Sequence, residues 1–362
     1  RFNVRSFNFQ HAFIAQRYRR ISDYPEIFSH VLGYTSRIEN DIKSMPEIPK
    51  SHWKDTELVY AHGLIQGKTG LEEIYDDHLS GQHGQRVHEM NARGQFVQSL
   101  SFTQPAKGLD LYTNLDIDAQ KSAAKFLGNR KGAVVAIDLE SGGINVLYSS
   151  PTYSINQLSN GMSESNFQTL LNDADKPFFN RALQGRYPPA STIKPAIGMY
   201  GLSNNIVNWD FEMKDPGFFT LPETGRVFRG WRKGGHGKVN MHKAFLVSSN
   251  TYFFSLAYQA DIGELSNHLS SLGFGQKVCL DCFEEDPAFV PTPEWKYSIM
   301  NAGWVKGDTV NLGVGQGYLV ATPMQLANYA ALLASKGMYS EPSLVALGNQ
   351  KKSLKIWQDK RF

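Results

Sequence analysis

Three serine-lysine pairs in this chain stand three residues apart: Ser51/Lys54, Ser122/Lys125 and Ser191/Lys194. A serine hydroxyl is a poor nucleophile until a neighbouring base takes its proton, and a lysine is such a base only when neutral. Burial lowers a lysine pKa toward that state, and a helix N-terminus favours the anion that develops. The tetrapeptide is short enough to arise by chance, so its setting must choose among the three. Ser191-Thr192-Ile193-Lys194 follows Tyr187-Pro188-Pro189-Ala190, where prolines favour a helix start, and runs into Pro195-Ala196-Ile197. Residues three apart on a helix share a face, so the Lys194 amine can approach the Ser191 hydroxyl across one turn. The plainer reading of these residues is a capping serine beside a solvated lysine.

A second candidate is Ser248-Ser249-Asn250, between Ala244-Phe245-Leu246-Val247 and Thr251-Tyr252-Phe253-Phe254. At a helix-to-loop junction such a triplet offers a hydroxyl for proton relay and an amide to hold a substrate carbonyl or amine. Serine and asparagine are also common at helix ends for capping alone. The two motifs together are far more specific than either one.

The elements that must position these residues are partly legible. Tyr24-Pro25-Glu26 begins a segment, and Gly33-Tyr34-Thr35 carries a turn glycine into Arg37-Ile38-Glu39. Gly67-Lys68-Thr69-Gly70 reads as a turn, Leu71 to Leu79 as helical, and Gln85 to Met90 as a strand. From Gly108 the texture changes. Leu109 to Thr113 alternates as a strand, Asp118-Ala119-Gln120 opens a helix, and Ala133 to Asp138 reads as a buried strand. Ile144 to Tyr148 pairs with it as a hairpin across Gly142-Gly143, and helices are expected around 191 to 202 and 241 to 258. Gly313-Val314-Gly315-Gln316-Gly317 is a glycine turn, and Thr322-Pro323 caps a helix over Met324 to Ser335. A boundary falls near residue 106, and the order of elements implies an α+β domain after it.

Composition bounds the rest. A chain of 362 residues is long for one domain, so two units are expected. With 41% hydrophobic and 20% charged residues, 32 Gly and 16 Pro, it is neither disordered nor fibrous. Lys plus Arg 37 against Asp plus Glu 34 leaves a net charge of +3, too balanced for tracking phosphates, so no nucleic acid partner is expected. No apolar run is long enough to span a membrane, no signal-peptide pattern opens the chain, and it reads as a piece of something longer. Cys279 and Cys282 are the two cysteines, too few for a disulfide framework or a four-cysteine zinc site.

The chain resembles the class B penicillin-binding proteins, on the cell-elongation side of that family. The resemblance rests on residues 187 to 195, on Ser248-Ser249-Asn250, on Trp231-Arg232-Lys233-Gly234-Gly235-His236-Gly237, and on Gly315-Gln316-Gly317-Tyr318 with Thr322-Pro323-Met324-Gln325. Gly33-Tyr34, the 67 to 75 segment and Asn91-Ala92-Arg93-Gly94 extend it into the early half, so that it covers roughly residues 17 to 343. It implies a pedestal domain over 1–105 that docks partners and a transpeptidase domain over 106–362, with an antiparallel sheet and flanking helices. Ser191 would attack the D-alanyl-D-alanine end of a peptidoglycan stem peptide, with Lys194 as the base. Ser248 and Asn250 would relay protons and position the substrate amide. β-Lactam antibiotics would acylate the same serine. The implied setting is the bacterial periplasm, with an inner-membrane anchor, a cell-elongation glycosyltransferase and scaffold proteins as partners.

Three departures from the family pattern set further expectations. Its third motif, Lys-Thr-Gly or Lys-Ser-Gly, does not occur after Asn250; Lys68-Thr69-Gly70 lies far upstream and reads as a loop-to-helix turn, and Lys233-Gly234-Gly235 belongs to the glycine-histidine segment. Beyond about Ser343 the motif resemblance stops, and Gln350 to Phe362 reads as a polar, basic tail. An oxyanion hole lacking the last strand keeps one backbone donor, from Ser191, and losing such a donor costs on the order of 100-fold, so weak activity is expected of this chain. Some relatives hold zinc near the second motif with two Asp, a His and a Cys. Here Asp215 and His236 remain while Gly230 and Ser249 stand at the other places, so neither metal nor cofactor is expected. For Cys279 and Cys282 an oxidising periplasm favours a local disulfide or an inert pair. The rival readings are a non-catalytic module that only binds ligand and a serine β-lactamase, for which no deacylating base stands out.

Overall fold

The computed structural model describes residues 19–37, 65–82, 84–93, 96–346 and 352–353. The chain divides into two compact units, one made of 1–111 with 152–178 and the other of 112–151 with 179–362. The sequence places all of 106–362 together, so the return of 152–178 to the first unit is new. Its reason is aromatic: the Tyr153 ring meets His30 at 5.2 Å, Tyr34 at 6.5 Å and Phe178 at 4.8 Å. Asn156 binds both backbone groups of Ser22, and His30 Nε2 lies 2.7 Å from the Pro177 carbonyl.

In the first unit the strands Thr35–Arg37 and Ile65–Gly67 pair antiparallel, and Gln85–Met90 pairs with Phe96–Thr103. Lys68-Thr69-Gly70 is the expected turn, leading into the helix Gly70–Ile74. Gly70 has φ +61°, and a Cβ at Gly33 would stand 1.8 Å from the Thr69 carbonyl oxygen, so the two glycines let two backbones cross.

The second unit mixes helices with antiparallel strands. Helix α1 (Ile117–Leu127) starts where Asp116 accepts from the Ala119 N–H at 2.8 Å. Strands β1 (Gly132–Ile137) and β2 (Ile144–Ser150) form the expected hairpin, in register Gly132↔Ser150. The β1 residues are half-buried, with Ala136 exposed, while β2 lies nearly all in the interior. Its outer edge is closed by buried Gln120 of α1, which donates to the Leu147 carbonyl at 2.9 Å and accepts from the Leu147 N–H at 3.0 Å. Leu109 to Thr113 is not a strand. Leu109 and Tyr112 are exposed, and among the described residues only Thr113 makes a β-bridge, to Val345. Alternation marks a segment able to pair, but a strand needs a partner along its length.

Helices α2 (Lys194–Ser203), α3 (Asn250–Gln259) and α4 (Pro323–Ala334) surround the site. Helix α4 carries the expected cap: the Gln325 N–H donates to Thr322 Oγ1 and the Thr322 N–H to Gln325 Oε1, both at 3.1 Å. Helices α2 and α3 pack in a core holding Ile193, Ile197, Tyr200, Phe253, Leu256 and Leu269. A Cβ at Gly201 would sit 2.7 Å from Leu256 Cδ1, so the glycine sets how closely α2 approaches α3. That approach brings Lys194 beside the second motif.

Cys279 and Cys282 are disulfide-bonded. The loop they close holds the carboxyl-terminal segment: the Leu280 N–H donates to the Pro342 carbonyl at 2.9 Å, and Asp281 accepts from the N–H groups of Leu344 and Val345 at 2.7 and 2.8 Å. Burial pushes the Glu285 carboxyl up to about 7, against hydrogen bonds from the backbone N–H groups of Val278 and Cys279. A cross-link over so short a loop is worth about 2 kcal/mol in the chain-entropy account. Reduction under native conditions is therefore expected to lower the melting temperature by several degrees, and calorimetry with and without reductant checks it. An unchanged melting temperature refutes it.

Candidate active site

Ser191 lies in a 3-10 turn, Ala190–Ile193, and Lys194 is the first residue of α2. With three residues per turn, positions i and i+3 eclipse in such a turn, which aligns the two side chains more closely than an α-helix does. Ser191 is exposed and Lys194 is 2% exposed. The turn is fixed from outside: the Ala190 N–H donates to the Gly315 carbonyl at 2.9 Å, and the Ala196 N–H to the Tyr329 hydroxyl at 2.8 Å.

The expected helix over 241 to 258 is two helices, Met241–Leu246 and α3, broken at Ser248. Ser248 has φ +51°, a left-handed conformation that no α-helix carries through. Ser249 then restarts the helix, its Oγ accepting from the Tyr252 N–H at 3.3 Å. The break turns Ser248 and Asn250 toward α2. Lys194 Nζ donates to the Ser248 carbonyl at 2.9 Å, to Ser248 Oγ at 3.0 Å and to Asn250 Oδ1 at 2.7 Å. Ser248 Oγ lies 3.2 Å from Ser191 Oγ.

All four predicted site residues therefore meet, with one change of order. The lysine is linked to Ser191 through the Ser248 hydroxyl, because the kink at residue 248 places that oxygen between them. Burial, among neutral oxygens as its hydrogen-bond partners, pulls the Lys194 amine down to about 8. The other serine-lysine pairs do not share this setting. Ser122 is exposed and donates to the Asp118 carbonyl within α1, and Ser51/Lys54 lies outside the described residues.

Behind the junction, Asp215 ends the strand Met213–Asp215, which pairs with Gly237–Val239. Its Oδ2 accepts from Ser249 Oγ and His236 Nδ1, both at 2.7 Å, and Oδ1 accepts from the Gly217 N–H at 2.8 Å. Burial pushes this carboxyl up, but Ser249, His236, the nearby Thr251 hydroxyl and the Gly217 N–H together more than offset it and hold it below the usual carboxylate range. The residues do not fit a closed zinc site. Gly230 has no side chain, the Ser249 hydroxyl is engaged at both ends, and the two cysteines are joined to each other.

Sequence reasoning missed two supports. The Trp231 indole N–H donates to the Ser248 carbonyl at 3.2 Å, sharing it with Lys194. Gly315 touches the Ala190 backbone; its glycine turn was legible, its contact was not.

An exposed serine, a bridging hydroxyl, a buried amine and an amide thus stand in one chain of hydrogen bonds. The family model for the penicillin-binding protein transpeptidase domain matches residues 132–361, beyond where the motifs stop, and that for the penicillin-binding protein dimerisation domain matches 1–113. The chain belongs to the penicillin-binding protein transpeptidase family. It is 39% identical over 345 residues to peptidoglycan D,D-transpeptidase MrdA of Acinetobacter baumannii, covering 95% of this chain and 50% of that protein. Penicillin-binding protein PBP2 of Helicobacter pylori, in a complex with MreC, superposes with a TM-score of 0.85 at 31% identity, over 99% of this chain and 66% of that one. PBP2 of Pseudomonas aeruginosa, in complex with WCK 5153, gives 0.78 at 32% identity, over 96% and 74%. The chain thus spans about half the length of the curated relatives it matches.

Proposed function

We propose that this chain is part of a peptidoglycan D,D-transpeptidase that cross-links stem peptides through an acyl-enzyme on Ser191 and is acylated there by β-lactams. One observation carries the reading: an exposed Ser191 hydroxyl is joined through Ser248 Oγ to a buried Lys194 amine. In the neutral form that amine has a lone pair. Ser191 Oγ attacks the penultimate D-alanine carbonyl, its proton passes to Ser248, and the Ser248 proton passes to Lys194 Nζ. The bond to the terminal D-alanine breaks, and its nitrogen leaves with the proton returned from Lys194. An amine on a neighbouring strand then attacks the ester, forms the cross-link amide and restores Ser191. Asn250 accepts from Lys194 through Oδ1, which leaves Nδ2 to hold the substrate carbonyl.

For the first unit we propose scaffold docking beside a cell-elongation glycosyltransferase, in the periplasm at the inner membrane. Support comes from the H. pylori relative's complex with MreC and from the strand Phe96–Thr103, whose Phe96, Val97, Leu100 and Phe102 side chains are all exposed. No helix among the described residues is long and apolar enough to cross a membrane.

Mass spectrometry of the full-length protein after incubation with a labelled penicillin tests the catalytic reading. The expected result is one adduct, on the peptide containing Ser191, lost in Ser191→Ala. An unlabelled Ser191 defeats the transpeptidase reading and leaves the binding module, and rapid nitrocefin turnover points to a β-lactamase.

A further inference from the structure

The second motif hangs from a buried carboxylate that touches no part of the Ser191-Ser248-Lys194 relay. Ser249 lies between the two residues that hold Lys194, is fully buried, and uses its hydroxyl twice, donating to Asp215 Oδ2 and accepting from the Tyr252 N–H. The neighbouring Ser248 is held at φ +51°, a conformation a non-glycine residue keeps only when its surroundings impose it. Asp215 is itself fixed by His236 Nδ1 and by the Gly217 N–H.

We infer that Asp215 is a positioning residue for the acyl-transfer site, acting through Ser249 by hydrogen bonds alone, with no metal at the place where some relatives hold zinc. The inference rests on the reading of Ser191 and Lys194 above. The donor set supports it. Among the described residues the cluster offers, besides Asp215, only His236 Nε2, which is buried there without a hydrogen-bond partner and has no ligand atom from Gly230 to join it. Two ligands do not hold structural zinc, which takes four. Among the described residues the one grouping of three ligand-type side chains is Cys279, Asp281 and Cys282, and its cysteines are disulfide-bonded. What a metal would do by coordination, the carboxylate does by accepting three hydrogen bonds.

Asp215→Asn keeps the shape but loses the charge: with its carbonyl oxygen on the Gly217 N–H its NH2 can only donate, so Ser249 Oγ and His236 Nδ1 must both change from donor to acceptor and the imidazole must change tautomer. Ser249→Ala removes a single hydroxyl and is the milder variant. For both, the expected change in acylation by a fluorescent penicillin is a loss of roughly 10 to 100-fold in the first-order acylation constant, with the half-saturating concentration within about threefold of wild type. Elemental analysis of the purified full-length protein is expected to find less than about 0.1 zinc per chain, and a chelator is expected to leave the acylation constant unchanged. Stoichiometric zinc, chelator sensitivity, or variants that acylate at the wild-type rate overturn the inference. A wild-type protein that forms no adduct sinks the transpeptidase reading itself, whereas wild-type acylation beside unaltered variants sinks only the role given to Asp215.

Discussion

Replacing Lys194 by methionine is expected to slow acylation of Ser191 by about 1,000-fold, within the range a positioned general base supplies. Methionine keeps much of the length and the apolar stem but offers no lone pair of comparable basicity to the Ser248 hydroxyl. Arginine is not expected to rescue the rate, since its guanidinium stays protonated and cannot accept the relayed proton. The same chemistry fixes a pH dependence. Burial brings the amine from 10.5 to about 8, which raises its neutral fraction at neutral pH by about 300-fold. With the neutral amine as the proposed base, the rate rises with pH. Acylation should climb roughly tenfold per unit below about pH 7, bend near 8 and level off above about 9. Time courses of adduct formation on wild type and both variants check this. A flat profile between about pH 6 and 9, or a methionine variant within tenfold of wild type, removes Lys194 from the role of base.

What could be read ahead of the structure follows the range of the interactions involved. The Thr322-Pro323 start of α4 was legible because a capping box is closed within four residues. The β1 and β2 hairpin was legible for a similar reason, with turn glycines beside two apolar runs. The stretch from Leu109 to Thr113 misled because, among the described residues, it pairs at one end alone, where Thr113 bridges Val345, over 200 positions away, and Tyr112 accepts from the Ala346 N–H. The four candidate residues could be named from type and spacing, and the structure brings them together, but the order of the hydrogen bonds among them could not be read. That order depends on a left-handed Ser248 between two helices, and a serine announces φ +51° by nothing in its neighbours. The hold of Asp215 on Ser249 was equally silent, since a carboxylate 34 residues upstream meets it only after the strand Met213–Asp215 is in place. Local chemistry was readable and long-range support was not.

The same division makes Gly315 the strongest structural prediction. A Cβ at this position would stand 2.2 Å from the Ala190 carbonyl oxygen, 2.6 Å from its nitrogen and 2.8 Å from its carbonyl carbon, while Gly315 itself sits at φ +69°. All three atoms are backbone, so no rotamer change relieves the clash, and the left-handed conformation adds about 1 to 2 kcal/mol for any L side chain. Ala190 is itself at φ +50° and receives the Gly315 carbonyl as its hydrogen-bond acceptor at 2.9 Å, so the contact cannot open without moving the residue before Ser191. Gly315→Ala is therefore expected to destabilise the protein by about 2 to 4 kcal/mol and to reduce acylation by over 100-fold in the molecules that still fold, the cost of displacing a nucleophile by about 1 Å. Gly317→Ala supplies the control. Its φ is +79°, but its Cβ would meet only the Asn311 side chain at 3.3 Å, so it carries the conformational strain without the collision. Acylation by this variant should stay within about tenfold of wild type. If both variants lose stability and activity alike, left-handed strain accounts for both, and the packing of Gly315 on Ala190 does not set the position of Ser191.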